Sequence, residues 1–421
     1  MFEFKILKKS KISNARIGIL KTPHGEIETP AFVPVATQAV VRTLTSEEVK
    51  EAKSQILIAN TIHLHLKPGE KVIAKSGGLH KFMNWPGPLM TDSAGYQVFS
   101  LGFGRDYGTG KILHANSAPS SASWRTSGNA NASMRIRQGR QPKNIKITDE
   151  GVYFRSPITG DEIFIGPKES MKIQAKLGAD IIFVFDECTS PMADYEYTKK
   201  SLLKTHNWAK VCLKERNKKQ ALFGIVQGGK FKDLRIESAK FMAGLPFDGF
   251  GIGGEFGDSK KEMTNMIDWV IKELPERKPR HLLGIGHPED IPNIIKSGVD
   301  LFDCIAPTHY ARHGYAFTSA GKLDMNKSKF LNPLSGNKNP LDPVRNSPPS
   351  RPFGRASAGA ISNGVDKKCR CFVCQNYSRS YITHLLKAKE ITALKLLTFH
   401  NLYFFNSFVG KIREKIKNGK I

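Results

Sequence analysis

The stretch Asp180-Ile-Ile-Phe-Val-Phe-Asp186 decides the fold class, because it is a wholly apolar run with an aspartate at each end. A strand that is apolar on both faces is buried on both faces, which is typical of a parallel sheet covered by helices. Further runs of this kind lie at residues 54–60, 87–92, 222–227, 247–253, 281–285 and 299–303. Helix-like stretches lie between the runs, at residues 167–177, 195–218, 232–243 and 260–273.

Seven such units predict an α/β protein in which parallel strands alternate with outer helices. Seven or more units over about 250 residues favour a (β/α)8 TIM barrel over an open doubly wound sheet. No Gly-x-Gly-x-x-Gly follows the first run, which argues against a dinucleotide-binding domain. We expect the barrel to occupy residues 1–332.

Two stretches interrupt this pattern, at residues 104–145 and 333–366. The first contains Arg135, Arg137 and Arg140, and the second is rich in proline and alanine. Both lack apolar periodicity, so we predict flexible surface insertions. They carry +6 and +2 of the net charge of +26, so the remaining residues keep +18 and are themselves basic. Such a charge favours a polyanionic partner, with a solvated basic surface as the alternative.

Polar side chains stand where the predicted strands end. The C-terminal ends of barrel strands meet at one mouth, where active sites lie. The residues at these ends are Asn60, Asp92, Asp186, Gln227, Gly253, Gly254 and Asp303. A single aspartate there could be a helix cap, but three at one mouth indicate a catalytic site.

Several carboxylates in one site suit chemistry at an anomeric carbon, where one group attacks and another moves protons. The chain offers no Ser–His pair or phosphate loop, and its histidines are too scattered for a mononuclear catalytic metal site. An amide, a further carboxylate and backbone groups could recognise a purine-like base, on which Tyr96 could stack. Exchange of a nucleotide's glycosidic bond is one interpretation, and ordinary glycoside hydrolysis is the other.

The last part of the chain, residues 367–421, predicts a zinc-binding subdomain. Cys369, Cys371 and Cys374 crowd into six residues, and with His400 they make a tetrahedral Cys3His set for one structural Zn²⁺ per subunit. His384 is the rival fourth ligand. We prefer His400 because residues 378–398 are predicted to form one helix that returns a distal histidine to the cysteines. A chance cluster is the remaining alternative.

Cysteine usage and hydropathy also bear on location. Three clustered thiols suit a metal site in a reducing compartment better than a disulfide framework. No secretory signal and no apolar run of about 18 residues appears in the sequence. We therefore expect a cytoplasmic protein with no membrane span.

Several of these stretches resemble the queuine-type tRNA-guanine transglycosylases. The matching motifs are Thr22-Pro-His-Gly-Glu-Ile-Glu-Thr-Pro-Ala31, Asn60-Thr-Ile-His-Leu64, Thr91-Asp-Ser-Ala-Gly-Tyr-Gln-Val-Phe-Ser-Leu101, Phe185-Asp-Glu-Cys-Thr189, Gly224-Ile-Val-Gln-Gly-Gly229, Phe302-Asp-Cys304, and Cys369 through His400-Asn-Leu-Tyr-Phe404. The resemblance spans nearly the whole chain outside the two insertions. Cys188, and the lack of a further C-terminal RNA-binding domain, favour the bacterial type over the archaeal branch.

The resemblance implies a pentosyltransferase of queuosine biosynthesis. It would exchange the wobble guanine (position 34) of tRNAs for Asp, Asn, His and Tyr, which carry a GUN anticodon, for a 7-deazaguanine such as preQ1 or queuine. Asp303 would be the nucleophile that forms a covalent aspartyl–RNA intermediate, and Asp92 the general acid/base. The implied substrate-binding residues are Asp186, Gln227, Gly254, Tyr96, Ser93, Leu283 and Asn60. The resemblance also implies a homodimer that uses the zinc region.

The chain departs from the family pattern at four places. Ala94 replaces a usual glycine beside Asp92, and His309 stands where an RNA-contacting arginine is usual, near the implied RNA contact Arg312. The segment 253–258, which borders the 7-substituent of the incoming base, is one residue short. The two insertions are the fourth difference. A non-catalytic tRNA-binding partner subunit is the competing function, and the presence of both Asp92 and Asp303 argues against it.

Overall fold

A computed structural model describes residues 2–96, 98, 145–190, 192–254, 256, 259–331 and 364–421. Most of the predicted insertions 104–145 and 333–366 lies outside these residues. At the ends of these two stretches, Ile145 begins a strand and residues 364–366 are buried. The two insertions themselves stay predictions. The domain boundaries predicted at residues 332 and 367 flank the second of these stretches and stay predictions.

The described chain forms two compact units. The first comprises Met1–Val40, Gln55–Cys304 and Val409–Ile421, and the second comprises Val41–Ser54 and Ile305–Phe408. The strands are β1 (Glu3–Lys9), β2 (Arg16–Thr22), β3 (Gly25–Thr29), β4 (Ala31–Pro34), β5 (Leu57–Ala59), β6 (Leu89–Thr91), β7 (Ile145–Ile147), β8 (Val152–Arg155), β9 (Glu162–Ile165), β10 (Ile181–Phe183), β11 (Ala221–Val226), β12 (Gly249–Ile252), β13 (Arg280–Leu282), β14 (Leu301–Cys304), β15 (Tyr315–Thr318) and β16 (Gly321–Asp324).

Beyond the short helical stretch at Gly95, Tyr96 and Val98, the described part of the chain contains thirteen α-helices. They are α1 (Ser46–Glu51), α2 (Thr61–Leu66), α3 (Glu70–Lys75), α4 (Leu79–Phe82), α5 (Pro167–Leu177), α6 (Tyr195–Glu215), α7 (Lys232–Ala243), α8 (Lys260–Ile271), α9 (Ile291–Lys296), α10 (Ala306–Arg312), α11 (Phe372–Asn376), α12 (Arg379–Lys387) and α13 (Ile391–Lys417). None of these helices is both long and apolar enough to cross a membrane.

The first unit confirms the predicted barrel. Eight parallel strands pair in the order β4-β14-β13-β12-β11-β10-β6-β5. A parallel bridge between Val35 and Ile58 joins the two ends of this sheet, where the Ala36 N–H donates to the Ile58 carbonyl oxygen at 2.7 Å. Closure of this kind leaves no strand edge exposed within the ring and directs all eight carboxyl ends to one mouth.

Seven of the eight barrel strands overlap the predicted apolar runs, and six of the seven are shorter than their runs, while β11 has the predicted length but begins one residue earlier. The eighth strand, β4, was not predicted. It has only four residues and lies between Pro30 and its own last residue Pro34, and proline is more typical of turns than of strands. The small antiparallel sheets β1-β2-β3 and β7-β8-β9 were also missed.

Helix ends follow the local capping chemistry. Helices α5 and α7 have the predicted bounds, while α6 and α8 end before the predicted residues 218 and 273. Helix α6 begins where the Asp194 carboxylate accepts a hydrogen bond from the Tyr197 N–H at 2.8 Å. Such an N-cap satisfies one of the free donors of the first helical turn.

The prediction of a single helix over residues 378–398 is wrong. The chain ends α12 at Lys387 and begins α13 at Ile391. Between them Lys389 has a φ of 59°, and the Glu390 N–H donates to the Leu385 carbonyl oxygen at 2.9 Å. A left-handed residue followed by such a bond is the usual way in which a helix stops.

A buried ion pair holds the β1-β2-β3 sheet against the amino end of the barrel strand β14. Both nitrogen–oxygen contacts from Arg16 to Asp300 are short, 2.8 Å from Nε to Oδ1 and 2.6 Å from Nη2 to Oδ2. The Arg280 N–H also donates to Asp300 Oδ2 at 2.8 Å. Asp300 is completely buried, and Arg16 nearly so.

We expect Asp300→Ala to lower the free energy of unfolding by about 3–5 kcal/mol, because it leaves the Arg16 charge buried without its carboxylate. Glu26→Ala removes the half-exposed ion pair with Lys21 and should cost less than about 1 kcal/mol. Denaturant titration of both variants measures the difference. Equal losses would show that the buried pair does not anchor the sheet.

Candidate active site

The mouth of the barrel carries the polar residues predicted from the strand ends. Asn60 follows β5, Asp92 follows β6 and Gln227 follows β11, while Asp303 is the third residue of β14. Asp186 lies three residues beyond the end of β10. Hydrogen bonds join these side chains into three groups, one around each aspartate.

Asp92 is nearly buried and has donors on both carboxylate oxygens. The N–H groups of Thr61 and Ala94 donate to Oδ1 at 2.9 and 3.1 Å, and the Asn60 amide donates to Oδ2. Burial nevertheless raises the pKa of Asp92 above its ordinary value of 3.8, although the hydrogen bonds act in the opposite direction. This carboxyl group therefore holds its proton to a higher pH than an exposed aspartate does.

Ala94 occupies a backbone conformation that usually selects glycine. Its φ is 74°, and this conformation directs its N–H at Asp92 Oδ1. A left-handed conformation costs an alanine about 1–2 kcal/mol because its Cβ crowds the backbone. The methyl group is completely buried. Ala94, at a position where the resemblance predicts a glycine, therefore keeps its bond to Asp92 at a cost in stability.

Helix α5 fixes the strand ends next to Asp92. The Gln174 side chain accepts from the Thr91 hydroxyl at 3.0 Å and bonds both the N–H and the carbonyl oxygen of Phe183. One turn earlier, the Ser170 hydroxyl donates to the Ser93 carbonyl oxygen at 2.8 Å. Gln174 therefore ties β6 to β10 from outside the ring, which holds the two aspartate-bearing ends together.

Asp186 and Gln227 form the second group in the mouth. The Ser93 hydroxyl donates to Asp186 Oδ1 at 2.8 Å, and Gln227 Nε2 donates to Asp186 Oδ2 at 2.6 Å. The side chains of Asp186 and Gln227 are both almost completely buried. Gln227 Oε1 is buried and has no hydrogen-bond partner among the described residues. This pocket therefore holds an acceptor whose hydrogen bond a ligand could supply.

Glycines let the backbone approach this pair closely. A Cβ at Gly95 would lie 2.7 Å from Asp186 Oδ1, and one at Gly253 would lie 2.7 Å from Gln227 Nε2. Gly254 has a φ of 87°, and its Cβ would lie 2.9 Å from Gln227 Oε1. No real side chain fits at such distances, so any larger residue at these positions would displace the pair.

A buried arginine, which the sequence patterns did not single out, bonds the backbone at Gly229 and Gly253. Arg235, on α7, donates from Nε to the Gly229 carbonyl oxygen at 2.6 Å and from Nη1 to the Gly253 carbonyl oxygen at 3.2 Å. Its guanidinium also lies 4.9 Å from the centre of the Phe256 ring. The signal was available, because the helical period places Arg235 on the same face as the buried residues Ser238 and Met242.

Asp303 forms the third group. His281 Nε2 lies 2.9 Å from Asp303 Oδ1, and the Gly284 N–H donates to the same oxygen at 3.0 Å. The Asp303 side chain keeps 13% of its surface exposed, whereas His281 is completely buried. His281 was also missed, since it opened a run that was interpreted only as a barrel strand.

The remaining predicted base-binding residues are partly exposed. Tyr96 follows Gly95 beyond the Asp92 loop, and Leu283 follows β13. Burial raises the pKa of Tyr96 to about 12, and the neighbouring Cys188 adds to this effect. The stacking role of Tyr96 and the packing role of Leu283 stay predictions. Half of the loop 253–258 (Glu255, Gly257 and Asp258) lies outside the described residues.

The predicted RNA-contacting residues lie in the second unit, on α10. Arg312 donates from Nη1 to the Thr308 carbonyl oxygen at 2.9 Å. Burial and the neighbouring Arg42 lower the pKa of Arg312, and burial also lowers the pKa of His309, beside His313. These residues form a basic cluster, while their contact with RNA stays a prediction.

The second unit also brings the four predicted metal ligands together. The sulfur atoms of Cys371 and Cys374 lie 3.5 and 3.3 Å from His400 Nδ1, and Cys369 completes a group whose ligand atoms all lie within 4.8 Å of one another. His400 Nε2 lies 2.8 Å from the Phe317 carbonyl oxygen. That bond places the proton on Nε2 and turns Nδ1 towards the thiols, as metal-binding histidines require. His384 is exposed and is not in the group.

Another histidine cluster, at the amino end of β10, is a poor metal site. His24 Nδ1 lies 2.6 Å from Asp180 Oδ1, and His80 Nε2 lies 3.5 Å from Oδ2. The two imidazole rings are stacked, with centroids 3.6 Å apart and planes only 17° from parallel. Nitrogen lone pairs lie in the ring planes, so nearly parallel rings cannot both point at one ion. We interpret this cluster as a buried carboxylate paired with histidines.

Comparison with known proteins identifies relatives along almost the whole chain. The sequence model of the family described as queuine tRNA-ribosyltransferase matches residues 11–118 and 127–421. A putative queuine tRNA-ribosyltransferase of Archaeoglobus fulgidus is 45% identical over 98% of this chain and 95% of its own length. A queuine tRNA-ribosyltransferase of Halothermothrix orenii is 41% identical over 98% of this chain and 93% of its own length. Another, of Caldanaerobacter subterraneus, is 42% identical over 100% of this chain and 94% of its own length. The resemblance drawn from the motifs is thereby confirmed.

The burial of Asp92 predicts a pH dependence of stability. Its pKa is raised in the folded protein, so its contribution to stability is present below pH about 4 and is lost as the pH rises through the raised value. Asp92→Asn cannot ionise. We therefore expect the unfolding midpoint of Asp92→Asn, relative to that of the wild type, to rise as the pH increases above about 4. Thermal unfolding across this range measures the difference, and a constant or falling difference would contradict a raised pKa.

Proposed function

This chain belongs to the queuine tRNA-ribosyltransferase family, and we propose that its barrel exchanges the wobble guanine of tRNAs with a GUN anticodon for a 7-deazaguanine. The enzyme is then a pentosyltransferase, because one base replaces another on the same ribose. The observation that carries this proposal is the pair of separately held aspartates, Asp92 and Asp303, at one barrel mouth.

The environments of the two carboxyl groups differ in the way that two-carboxylate glycosyl chemistry needs. Asp92 is buried and has a raised pKa, which suits a group that donates and later recovers a proton. Asp303 is partly exposed and takes both of its described hydrogen bonds on Oδ1. Such an arrangement suits a carboxylate that attacks carbon.

The first step forms a covalent intermediate. The Asp303 carboxylate attacks C1′ of the ribose, a bond forms between its oxygen and C1′, and the bond from C1′ to guanine N9 breaks. The electron pair of that bond leaves with guanine, and the Asp92 carboxyl group supplies the proton that neutralises it. An aspartyl ester of the RNA remains, with its base removed.

The second step reverses these bonds with a different base. The Asp92 carboxylate takes the proton from the ring nitrogen of the incoming 7-deazaguanine, and that nitrogen attacks C1′. The ester bond to Asp303 breaks, and its carboxylate is restored. Two displacements at one carbon retain its configuration, as in retaining glycosidases. No high-energy cofactor is consumed, because one glycosidic bond replaces another.

The Asp186–Gln227 pair suits the edge of a guanine-like base. That edge carries two donors, the ring N–H and the exocyclic amine, beside the carbonyl acceptor. Asp186 offers carboxylate acceptors, Gln227 offers an amide whose Oε1 has no partner among the described residues, and Gly254 offers backbone groups. Base recognition also requires the nucleotide to leave its stack, as in other enzymes that act on a base. The Ser93 hydroxyl donates to Asp186 of this pair, and the Asn60 amide donates to Asp92.

The wider assignments follow from the same proposal. The basic cluster with Arg312 and His309 would contact the phosphates of the anticodon loop of the tRNAs for Asp, Asn, His and Tyr. The net charge of +26 supports a polyanionic partner. The six cysteines all lie among the described residues and none of them forms a disulfide, which suits a reducing cytoplasm. We also propose a homodimer.

PreQ1 and queuine are the two candidates for the incoming base. They differ in the substituent that the resemblance places beside the loop 253–258.

We assign Zn²⁺ to the Cys3His group. Three thiolates and an imidazole are the ligand set of structural zinc sites, and they leave no open position for substrate. When bound, the ion cross-links the cysteine loop to α13 and takes no part in the glycosyl chemistry. The Nε2 bond from His400 to the Phe317 carbonyl oxygen supplies the outer contact that such a site needs.

The exchange reaction gives the first test. Wild-type protein should incorporate labelled guanine into tRNA and form a covalent adduct that survives denaturation, and Asp303→Ala should abolish both because the attacking oxygen is gone. Asp161→Ala, at an exposed aspartate directly before β9, is the matched control and should keep full activity. Absence of exchange in the wild type would overturn the proposal in favour of a non-catalytic tRNA-binding subunit. Release of guanine without replacement would indicate a hydrolase.

The zinc site gives a second test, through metal analysis of matched histidine variants. Wild type and His384→Ala should each hold one zinc per chain, whereas His400→Ala should lose zinc and should lose helical structure in the second unit. Loss of a structural zinc ligand removes folding free energy, because metal binding and folding are coupled. Zinc retained by His400→Ala and lost by His384→Ala would contradict the ligand assignment.

A further inference from the structure

A buried imidazole contacts the carboxylate that the proposed function makes the nucleophile. His281 is the second residue of β13, and the adjacent strand β14 carries Asp303. The ring is completely buried and packs edge-on against Phe183, with centroids 5.5 Å apart. Its Nε2 lies 2.9 Å from Asp303 Oδ1. A polar ring placed in the interior of a barrel strand needs an explanation, since an apolar side chain would fill the same space.

The surroundings of the ring decide which nitrogen carries the proton. His281 Nδ1 is buried and has no hydrogen-bond partner among the described residues. A proton on Nδ1 would therefore be a buried donor without an acceptor, which costs free energy. A proton on Nε2 has the Asp303 carboxylate as its acceptor. The ring is thus a neutral imidazole that donates from Nε2.

The two donors that reach Asp303 both bond the same oxygen. His281 Nε2 and the Gly284 N–H lie 2.9 and 3.0 Å from Oδ1, and no donor of the described residues is recorded on Oδ2. Two bonds from different directions fix the plane of the carboxylate. Oδ1 is thereby held by the protein, and Oδ2 retains its lone pairs for a reacting carbon.

We propose that His281 is a positioning residue for catalysis, which donates a neutral hydrogen bond to Asp303 Oδ1 and leaves Oδ2 as the atom that attacks C1′. This inference rests on the proposed function and names the attacking oxygen within it. Because the donor is neutral, it orients the carboxylate without the full charge neutralisation that a cation would bring. His281 moves no proton in the reaction, since its other nitrogen has no described partner to exchange one with.

Three variants separate this role from simple core packing. His281→Phe keeps the ring but removes the donor, and His281→Gln places an amide N–H close to the position of Nε2. His206→Phe is the matched control, because His206 is also a buried histidine with an unpartnered Nε2. It lies on α6 and stacks on Phe241 of α7, so it belongs to the helices and not to a barrel strand. The readouts are the single-turnover rate of adduct formation with tRNA and the KM values for tRNA and guanine.

We expect His281→Phe to slow adduct formation by roughly 10- to 100-fold, the usual effect of losing a hydrogen bond to a charged group. Both KM values should stay within about threefold, because the donor acts on the reacting carboxylate and touches neither substrate. His281→Gln should restore most of the rate, and His206→Phe should react as fast as the wild type.

Each outcome bears on one of the two proposals. No adduct in the wild type would refute the proposed function itself. A wild-type adduct with an undiminished rate in His281→Phe would refute only the role of His281, as would a His281→Gln variant as slow as His281→Phe. Nitrogen-15 spectra of the wild type provide an independent check. A pyrrole-type Nε2 and a pyridine-type Nδ1 are expected for His281, and the reverse pattern would overturn the assignment.

Discussion

Closure of the eight parallel strands is the constraint on which the rest of the first unit depends. Because the sheet closes where Val35 meets Ile58, every strand runs in the same sense and every carboxyl end lies at the same mouth. Residues far apart in the sequence, such as Asp92 and Asp303, therefore reach one site. The amino ends of the strands lie on the other side of the barrel. The buried Arg16–Asp300 ion pair at that end contributes to stability rather than to chemistry.

A carboxylate that is buried at the mouth needs hydrogen-bond donors. The three aspartates receive different donors, and these differences match the roles proposed for them. Asp92 receives backbone N–H groups and an amide, yet burial still raises its pKa. Asp186 receives a hydroxyl and an amide, which fixes both of its oxygens beside Gln227. Asp303 receives two donors on one oxygen only. In the proposed mechanism, one residue type thus serves for proton transfer, base recognition and attack.

Sequence patterning predicted the barrel and most of its site because both depend on local signals. Apolar runs mark buried strands, and a polar residue at the end of such a run marks the mouth. Patterning missed β4, whose prolines resemble a turn, and it missed the helix break at Lys389, where no glycine announces a left-handed residue. Helical periodicity could have placed Arg235 on the buried face of α7, but not its bond to Gly253, and nothing in the sequence pattern pairs His281 with Asp303. Contacts between distant segments appear only when the fold is known.

The proposed mechanism joins Asp303 covalently to the RNA, and peptide mapping can locate that bond. Wild-type protein is allowed to react with an anticodon stem-loop, denatured, and digested with protease and nuclease, and the modified peptide is sequenced by mass spectrometry. The account predicts a ribose-linked fragment on Asp303, within the peptide that contains Phe302-Asp-Cys304. A fragment attached to Asp92 or Asp186 instead would contradict the assignment of roles at the mouth.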